Sequence, residues 1–124
     1  MSYTPYIHES VEQTNLFRWA AYEQGKYPEL KLMYHIPNGG SRNRLEAANL
    51  KKQGVKSGVP DICLPVARGA YHGLYIEMKA GRNKASENQK QWLNDLNEQG
   101  YYAVLCYGWN AASEVITNYL EGRF

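Results

Sequence analysis

Apolar and polar residues alternate along this chain with two periods, and the change from one period to the other marks out successive helices and strands. A spacing of three and four residues is typical of an amphipathic helix, and a spacing of two is typical of a half-buried strand. The predicted elements are a helix over 8–24, a strand over 30–36, a helix over 41–53 capped by Ser41, strands over 59–66 and 73–80, a helix over 86–99 capped by Ser86, a strand over 101–107 and a helix over 110–121. This order, α-β-α-β-β-α-β-α, predicts an α/β fold with a mixed central β-sheet flanked by helices.

Two segments predict how the sheet is connected. The segment Arg68–Gly73 between the second and third strands is short enough for a hairpin and therefore predicts an antiparallel pair. The segment Tyr101–Tyr107 is a nearly continuous apolar run. Such a run is typical of a strand that is buried on both faces, and it predicts a central position in the sheet.

The composition is that of a globular chain, and we expect residues 1–124 to form a single domain. Hydrophobic residues make up 44% and charged residues 21% of the sequence, which excludes a disordered or fibrous protein. The longest apolar run has seven residues, whereas a membrane helix needs about 20. The first 13 residues lack the basic and apolar regions of a secretion signal. We therefore expect a cytoplasmic protein without a membrane partner.

Cysteine content and net charge add little about function. Cys63 and Cys106 both lie in apolar runs, which favours buried, reduced thiols over a disulfide or a metal site. The formal net charge of +2 is too small to indicate or to exclude a nucleic-acid partner.

Charged residues interrupt the second and third predicted strands, where apolar residues otherwise dominate. Glu77 and Lys79 share one face of the third strand, because side chains alternate with a period of two. If this strand forms a hairpin with the strand of Asp61, the two acids come close together. Neighbouring carboxylates repel unless a cation joins them, and Mg²⁺ or Mn²⁺ suits carboxylate, carbonyl and water ligands. An ion pair between Asp61 and Lys79 on a half-exposed strand is the alternative that these residues leave open.

The motif Gly58-Val59-Pro60-Asp61, followed by Ile76-Glu77-Met78-Lys79, resembles the PD-(D/E)xK signature of metal-dependent nucleases. Within that superfamily, residues 9–120 resemble the virus-type replication–repair nuclease (VRR-NUC) domain. Further shared features are Glu12-Gln13, Ile36–Gly40, Gly54–Asp61 and Ser86-Glu87-Asn88-Gln89. The resemblance implies a restriction-endonuclease-like core and a competent enzyme, in the small stand-alone form typical of phage proteins.

The resemblance also implies the residues of a metal site. Asp61 and Glu77 would bind a Mg²⁺ or Mn²⁺ ion together with the backbone carbonyl of Met78. Lys79 would lie beside the attacking water, where an ammonium can orient or deprotonate it.

Two helices are expected to contribute further side chains. Glu12 would be the acid from the first helix, with Glu9, one turn away, as the alternative. Gln89 would orient the cluster from the third helix. From the residues alone, both glutamates fit a first helical turn, where they complement the helix dipole, and Gln89 fits an exposed helix position.

A basic stretch leads towards Asp61. Between residues 42 and 56, five positive charges face a single negative charge, Glu46, which predicts contacts to a phosphate backbone. A solvated helix face is the alternative. The candidate DNA-binding residues are Asn38, Arg42, Arg44, Lys51, Lys52, Lys56, Arg82 and Lys84.

These inferences predict a divalent-metal-dependent DNA endonuclease that hydrolyses phosphodiester bonds. The resemblance further implies a homodimer that acts on branched DNA such as four-way (Holliday) junctions in DNA repair, in the host cytoplasm if the protein is phage-encoded. Three alternatives stay open: a flap nuclease or exonuclease with the same chemistry, a non-catalytic DNA-binding module, and an interaction protein with a charged strand face.

Overall fold

A computed structural model describes residues 8–37 and 43–124 and shows a mixed four-stranded sheet with helices on both faces. The helices are α1 (Glu9–Glu23), α2 (Arg44–Lys52), α3 (Glu87–Glu98) and α4 (Trp109–Leu120), and the strands are β1 (Tyr34–His35), β2 (Ile62–Leu64), β3 (Leu74–Lys79) and β4 (Tyr102–Tyr107). The predicted order of helices and strands is confirmed. In the described parts of the chain, no helix has the length and apolar character that a bilayer crossing requires.

The strands lie in the order β1-β2-β3-β4. β2 pairs antiparallel with both β1 and β3, so the predicted hairpin is confirmed, and β4 pairs parallel with β3. Ile62 lies opposite Ile76. One further step along the same register places Asp61 opposite Glu77, so the hairpin brings the two acids to one place on one face of the sheet.

The two faces of β3 have different surroundings. Leu74, Ile76 and Met78 are buried in the hydrophobic core, which α1 and α4 cover. Glu77 and Lys79 alternate with them and point to the opposite face, yet they are buried as well. One strand therefore supplies both the centre of the core and the charged residues of the candidate site.

The segment predicted as a strand over 30–36 is divided into two elements. Residues Pro28–Leu32 form a 3₁₀ helix, and only Tyr34–His35 pair with β2. The buried side chains recur every three positions, at Tyr27, Leu30 and Met33. This spacing fits the three residues per turn of a 3₁₀ helix, and the strand prediction was wrong because it read the same residues as an alternation.

β2 is shorter than the strand predicted over 59–66. Pro60 and Pro65 flank it, and proline has no N–H to donate to a ladder, so pairing is confined to the segment between them. Cys63 in β2 and Cys106 in β4 are buried free thiols, as the sequence predicts.

The starts of α2 and α3 are fixed by side-chain caps. The Asn43 side-chain oxygen accepts hydrogen bonds from the N–H groups of Leu45 and Glu46, which makes Asn43 the cap of α2. The predicted cap, Ser41, lies outside the described residues. Ser86 caps α3 as predicted.

β4 lies at the edge of the described sheet, so its predicted central position is wrong. Its apolar residues are covered because α3 lies on one face and α4 on the other. The Asn97 side chain from α3 occupies the open edge: its Nδ2 donates to the Ala103 carbonyl at 2.8 Å, and its Oδ1 accepts from the Ala103 N–H at 3.0 Å. A side-chain amide thus replaces a neighbouring strand at this residue, which protects the edge.

The loop before β2 is held against α3 at Gly58. Its φ is +91°, and a Cβ there would lie 2.8 Å from the Asn88 Cβ and 2.9 Å from the Asn88 carbonyl carbon. The Asn88 side chain also donates to the Ser57 hydroxyl at 2.9 Å. Since Asp61 follows Gly58 closely in the chain, this contact fixes the first turn of α3 relative to Asp61.

We expect Gly58→Ala to destabilise the protein more than the control Gly54→Ala. Both glycines have a positive φ, so alanine costs about 1–3 kcal/mol of backbone strain at either position. A Cβ at Gly54 meets no described atom within 4 Å, whereas at Gly58 overpacking adds roughly 1–3 kcal/mol. Urea unfolding measures both variants, and equal losses would show that the Gly58–Asn88 contact is not tight.

Candidate active site

Asp61 is held in place by hydrogen bonds from β3 and from the residue that follows β1. Its Oδ2 accepts a hydrogen bond from the Met78 N–H at 2.8 Å, and its backbone carbonyl accepts one from the Ile36 N–H at 2.7 Å. The N–H and C=O of a strand residue point to the same side, so the Met78 carbonyl also faces the β2 side. The register places Pro60 opposite Met78, and proline has no N–H to donate to that carbonyl.

Glu77 is buried, and its two carboxylate oxygens differ in their partners. Oε2 accepts a hydrogen bond from Gln89 Nε2 at 3.0 Å. Oε1 is buried and has no hydrogen-bond donor among the described residues. Burial raises the pKa of Glu77 to about 8, the charge and hydrogen bonding of Asp61 act in the same direction, and the Lys79 ammonium opposes them.

Two facing carboxyl groups can satisfy each other only in limited ways. A hydrogen bond between them needs a proton on one of the two. A divalent cation satisfies the same oxygens without that proton. The two carboxyl groups can therefore exchange a shared proton for a cation near neutral pH.

Lys79 lies between two carboxylates. Its Nζ is 3.7 Å from Glu77 Oε2 and 3.7 Å from Glu9 Oε2, and its side chain is 8% exposed. Among the described ion pairs, those of Lys79 are with these two glutamates and not with Asp61. An isolated Asp61–Lys79 pair on a half-exposed strand therefore does not describe the arrangement.

The acid that α1 brings to this cluster is Glu9, the alternative that the sequence offered, and not Glu12. The Glu12 Oε1 accepts a hydrogen bond from the Trp109 N–H, at the start of α4, at 2.8 Å. The first N–H groups of a helix have no partner within the helix and carry partial positive charge, so a carboxylate is stabilised there. Glu12 thereby ties α1 to α4, while Glu9 faces Lys79.

Gln89 connects the first turn of α3 to Glu77. Its N–H donates to Ser86 Oγ at 3.1 Å and its Oε1 accepts from the Ser86 N–H at 2.9 Å, which forms a capping box. Because the amide oxygen is engaged, Nε2 is the end that meets Glu77. A glutamate would complete the same box but would bring another carboxylate to Glu77, so glutamine suits both tasks.

The oxygen atoms at this place are of the kind that hard divalent cations prefer. Within residues 8–37 and 43–124, no group of three His, Cys, Asp or Glu side chains is arranged to hold a metal ion. A cation here would have the Asp61 and Glu77 carboxylates, the Met78 carbonyl and water as ligands. The buried, donor-less Glu77 Oε1 is the feature that fits such an ion.

A groove of about 810 Å³ lies between α2 and the start of α3. Lys51 and Lys56 line it from α2 and the loop that follows, and Trp92 lines it from α3. Gln89 belongs both to this lining and to the cluster around Glu77. Asp61 and Glu77 are not in the lining, so Gln89 is the residue that connects the groove to the acidic pair.

The other predicted DNA-binding residues lie outside the groove lining or outside the described residues. Arg44 and Lys52 are exposed on α2, and Arg82 and Lys84 are exposed in the loop that follows β3. Asn38 and Arg42 lie outside the described residues. None of these exposed side chains is placed in the groove lining.

Sequence reasoning missed Asn83. Its side-chain Nδ2 donates to Glu9 Oε2 at 3.2 Å, across 74 positions of the chain. No local motif signals such a contact, because it arises only when the loop after β3 meets the first turn of α1.

The raised pKa of Glu77 predicts how stability depends on pH in EDTA. The folded protein keeps a proton on Glu77 that the unfolded chain releases above its ordinary pKa of 4.5. The free energy of unfolding should therefore fall as the pH rises from about 5 to about 8, by at most about 1.4 kcal/mol per pH unit. In Glu77→Gln this contribution should vanish.

Thermal unfolding of both proteins across this pH range provides the test. The three histidines are common to both, so the difference between the two curves isolates Glu77. Parallel curves for the wild type and the variant would contradict the raised pKa.

The chain has clear similarity to one family of known proteins. The VRR-NUC domain model matches residues 2–110. A solved structure described as a VRR_NUC domain protein is 34% identical, has a TM-score of 0.82, and is matched over 96% of this chain and 93% of that chain. No curated protein sequence matches this chain. The chain thus belongs to the VRR-NUC family of PD-(D/E)xK-type nucleases and has their restriction-endonuclease-like fold.

Proposed function

We propose that this protein is a divalent-metal-dependent DNA endonuclease whose cation ligands are Asp61, Glu77 and the Met78 carbonyl. The observation that carries the proposal is the buried Glu77 Oε1, which has no donor within the described residues although a second carboxylate faces Glu77. A buried, unpaired acid is costly for folding. A bound Mg²⁺ or Mn²⁺ ion would offset this cost, because it would supply the positive charge that the carboxylates lack.

The residues around the pair divide the work of phosphodiester hydrolysis. A bound cation supplies positive charge near the phosphate and favours deprotonation of water. Lys79 would hold the attacking water and offset the negative charge that develops on the phosphate oxygens. Gln89 fixes the Glu77 carboxylate through Oε2, and the Met78 N–H fixes Asp61 through Oδ2.

Glu9 takes the role of the acid from the first helix in this proposal, in place of Glu12. Its Oε2 lies 3.7 Å from Lys79 Nζ. Glu9 and Glu77 together hold the ammonium in one position between them, which favours a fixed direction for the proton that Lys79 shares with water.

The groove between α2 and α3 supports a contact with the DNA backbone. Lys51 and Lys56 place positive charge along it, and Gln89 joins it to the acidic pair. A phosphate backbone that followed these cations would reach Gln89, whose amide binds Glu77. The family resemblance supports branched DNA, such as four-way junctions in DNA repair in the cytoplasm, as the substrate within this class.

The decisive experiment is cleavage of labelled duplex, flap, splayed and four-way junction DNA in EDTA, Mg²⁺ and Mn²⁺. We expect cuts that require the cation, with four-way junctions cut in preference to duplex. Cleavage of flaps or ends alone would identify the flap nuclease or exonuclease alternative. DNA binding without any cut would identify a non-catalytic module.

Lys79→Ala should lower kcat by at least about 100-fold, because general acid–base groups contribute 10²- to 10⁴-fold. DNA affinity should stay almost unchanged, since one ammonium adds little to a many-phosphate contact. Lys90→Ala is the matched control, because the Lys90 side chain is 60% exposed and pairs only with Glu87 among the described ion pairs. Equal losses of DNA affinity and kcat in Lys79→Ala would instead show that Lys79 contacts the DNA backbone.

The groove lysines should affect binding and not chemistry. Lys51→Ala and Lys56→Ala should each weaken DNA binding and reduce the slope of log affinity against log salt by about 0.9 per lost phosphate contact. Lys31→Ala, outside the groove lining, should leave the slope unchanged. If the slope of log affinity against log salt is the same in all three variants, the DNA backbone does not follow the groove.

A homodimer is proposed from the family resemblance, since a two-fold enzyme presents two active sites to a symmetric junction. Sedimentation at micromolar concentration should give about twice the chain mass of 14.2 kDa. A monomer that cuts both opposing strands of a junction would contradict this assembly.

A further inference from the structure

Asn83 lies in the loop between β3 and α3, and three hydrogen bonds hold it. Its backbone N–H donates to the Ala80 carbonyl at 3.2 Å. Its carbonyl accepts from the Tyr107 hydroxyl at 2.7 Å. Its side-chain Nδ2 donates to Glu9 Oε2 at 3.2 Å. A single residue therefore connects the residue that follows β3, the end of β4 and the first turn of α1.

Glu9 depends on such a contact more than the other acids of the site do. It is the first residue of α1, and helix ends fray. His8, which precedes it, makes no side-chain cap to the helix, and the Glu9 side chain is 36% exposed. Glu77 and Lys79, by contrast, are buried within the paired strand β3.

We propose that Asn83 is a positioning residue whose side-chain amide holds Glu9 Oε2 beside Lys79 Nζ. The inference rests on the proposed function, because the contact affects a reaction only if Glu9 and Lys79 belong to a nuclease site. An amide is well suited to this task. It donates to the carboxylate without adding a charge, whereas an aspartate would repel Glu9 and a lysine would compete with Lys79 for it.

The kinetic test is a double-mutant cycle with the wild type, Asn83→Ala, Glu9→Ala and the double variant, measured as kcat and KM for DNA cleavage. Asn83→Ala should lower kcat about 10-fold, as is typical when a supporting hydrogen bond is lost, with KM almost unchanged. The double variant should be no slower than Glu9→Ala, because Asn83 acts through Glu9. Losses that multiply in the double variant, or a loss in KM alone, would overturn the proposal.

A second readout does not depend on activity. In metal-free protein in EDTA, the NMR resonances of the Asn83 side-chain amide should shift in Glu9→Ala, because their acceptor is gone. They should stay unchanged in the control Glu87→Ala, whose carboxylate pairs with Lys90. Resonances that ignore Glu9→Ala would show that the contact does not exist in solution. If the resonances respond but the wild type cuts no DNA, the proposed function fails and the positioning of Glu9 by Asn83 is supported.

Two further variants serve as a control for loss of an asparagine elsewhere and as a replacement if Asn83→Ala does not fold. Asn94→Ala removes an exposed asparagine of α3 whose amide reaches only Glu98, at 3.5 Å, among the described side chains, and it should leave kcat unchanged. If Asn83→Ala fails to fold, Asn83→Asp keeps the shape of the side chain and replaces the donor by a charge that repels Glu9. Its kcat should then be lower still, and wild-type kcat in Asn83→Asp would overturn the proposal.

Discussion

The carboxylates of Asp61 and Glu77 lie opposite each other across β2 and β3, and Glu77 is only 1% exposed. The neighbouring structure holds these two acids together. The Met78 N–H binds Asp61, Gln89 binds one oxygen of Glu77, and Lys79 offsets part of the charge. One oxygen is left without a donor among the described residues. A buried pair of this kind raises the pKa of Glu77.

Local features of the chain explain why the pair forms where it does. Pro60 and Pro65 confine β2 to a short segment, so Asp61 stands at the end of the ladder with its side chain free to reach the Met78 N–H. Gly58 lets the preceding loop touch α3 closely. The capping box at the start of α3 turns the donor end of Gln89 towards Glu77. The prolines, the glycine contact and the capping box thus together position Asp61 and Glu77, a pair that by itself is unfavourable for folding.

Much of this could be predicted from the sequence, because it is encoded locally. The order of helices and strands, the β2–β3 hairpin and the proximity of Asp61 to Glu77 follow from hydrophobic periods and a short loop. The features that could not be predicted from the sequence are non-local. The edge position of β4 depends on Asn97 covering it from α3, and the choice between Glu9 and Glu12 depends on where α4 begins relative to α1. The apolar residues before β1 recur every three positions in the sequence, but they were read as the two-residue alternation of a strand.

Calorimetric titration of Mn²⁺ into metal-free protein at pH 7, in two buffers of different ionisation enthalpy, tests the central claim most directly. Because the pKa of Glu77 is about 8, the pair holds a proton at this pH, and a cation that binds there must displace it. The wild type should release about one proton per bound cation, and Glu77→Gln should release none. A wild type that does not bind Mn²⁺, or binds it without releasing a proton, would contradict the claim that Asp61 and Glu77 form the cation site.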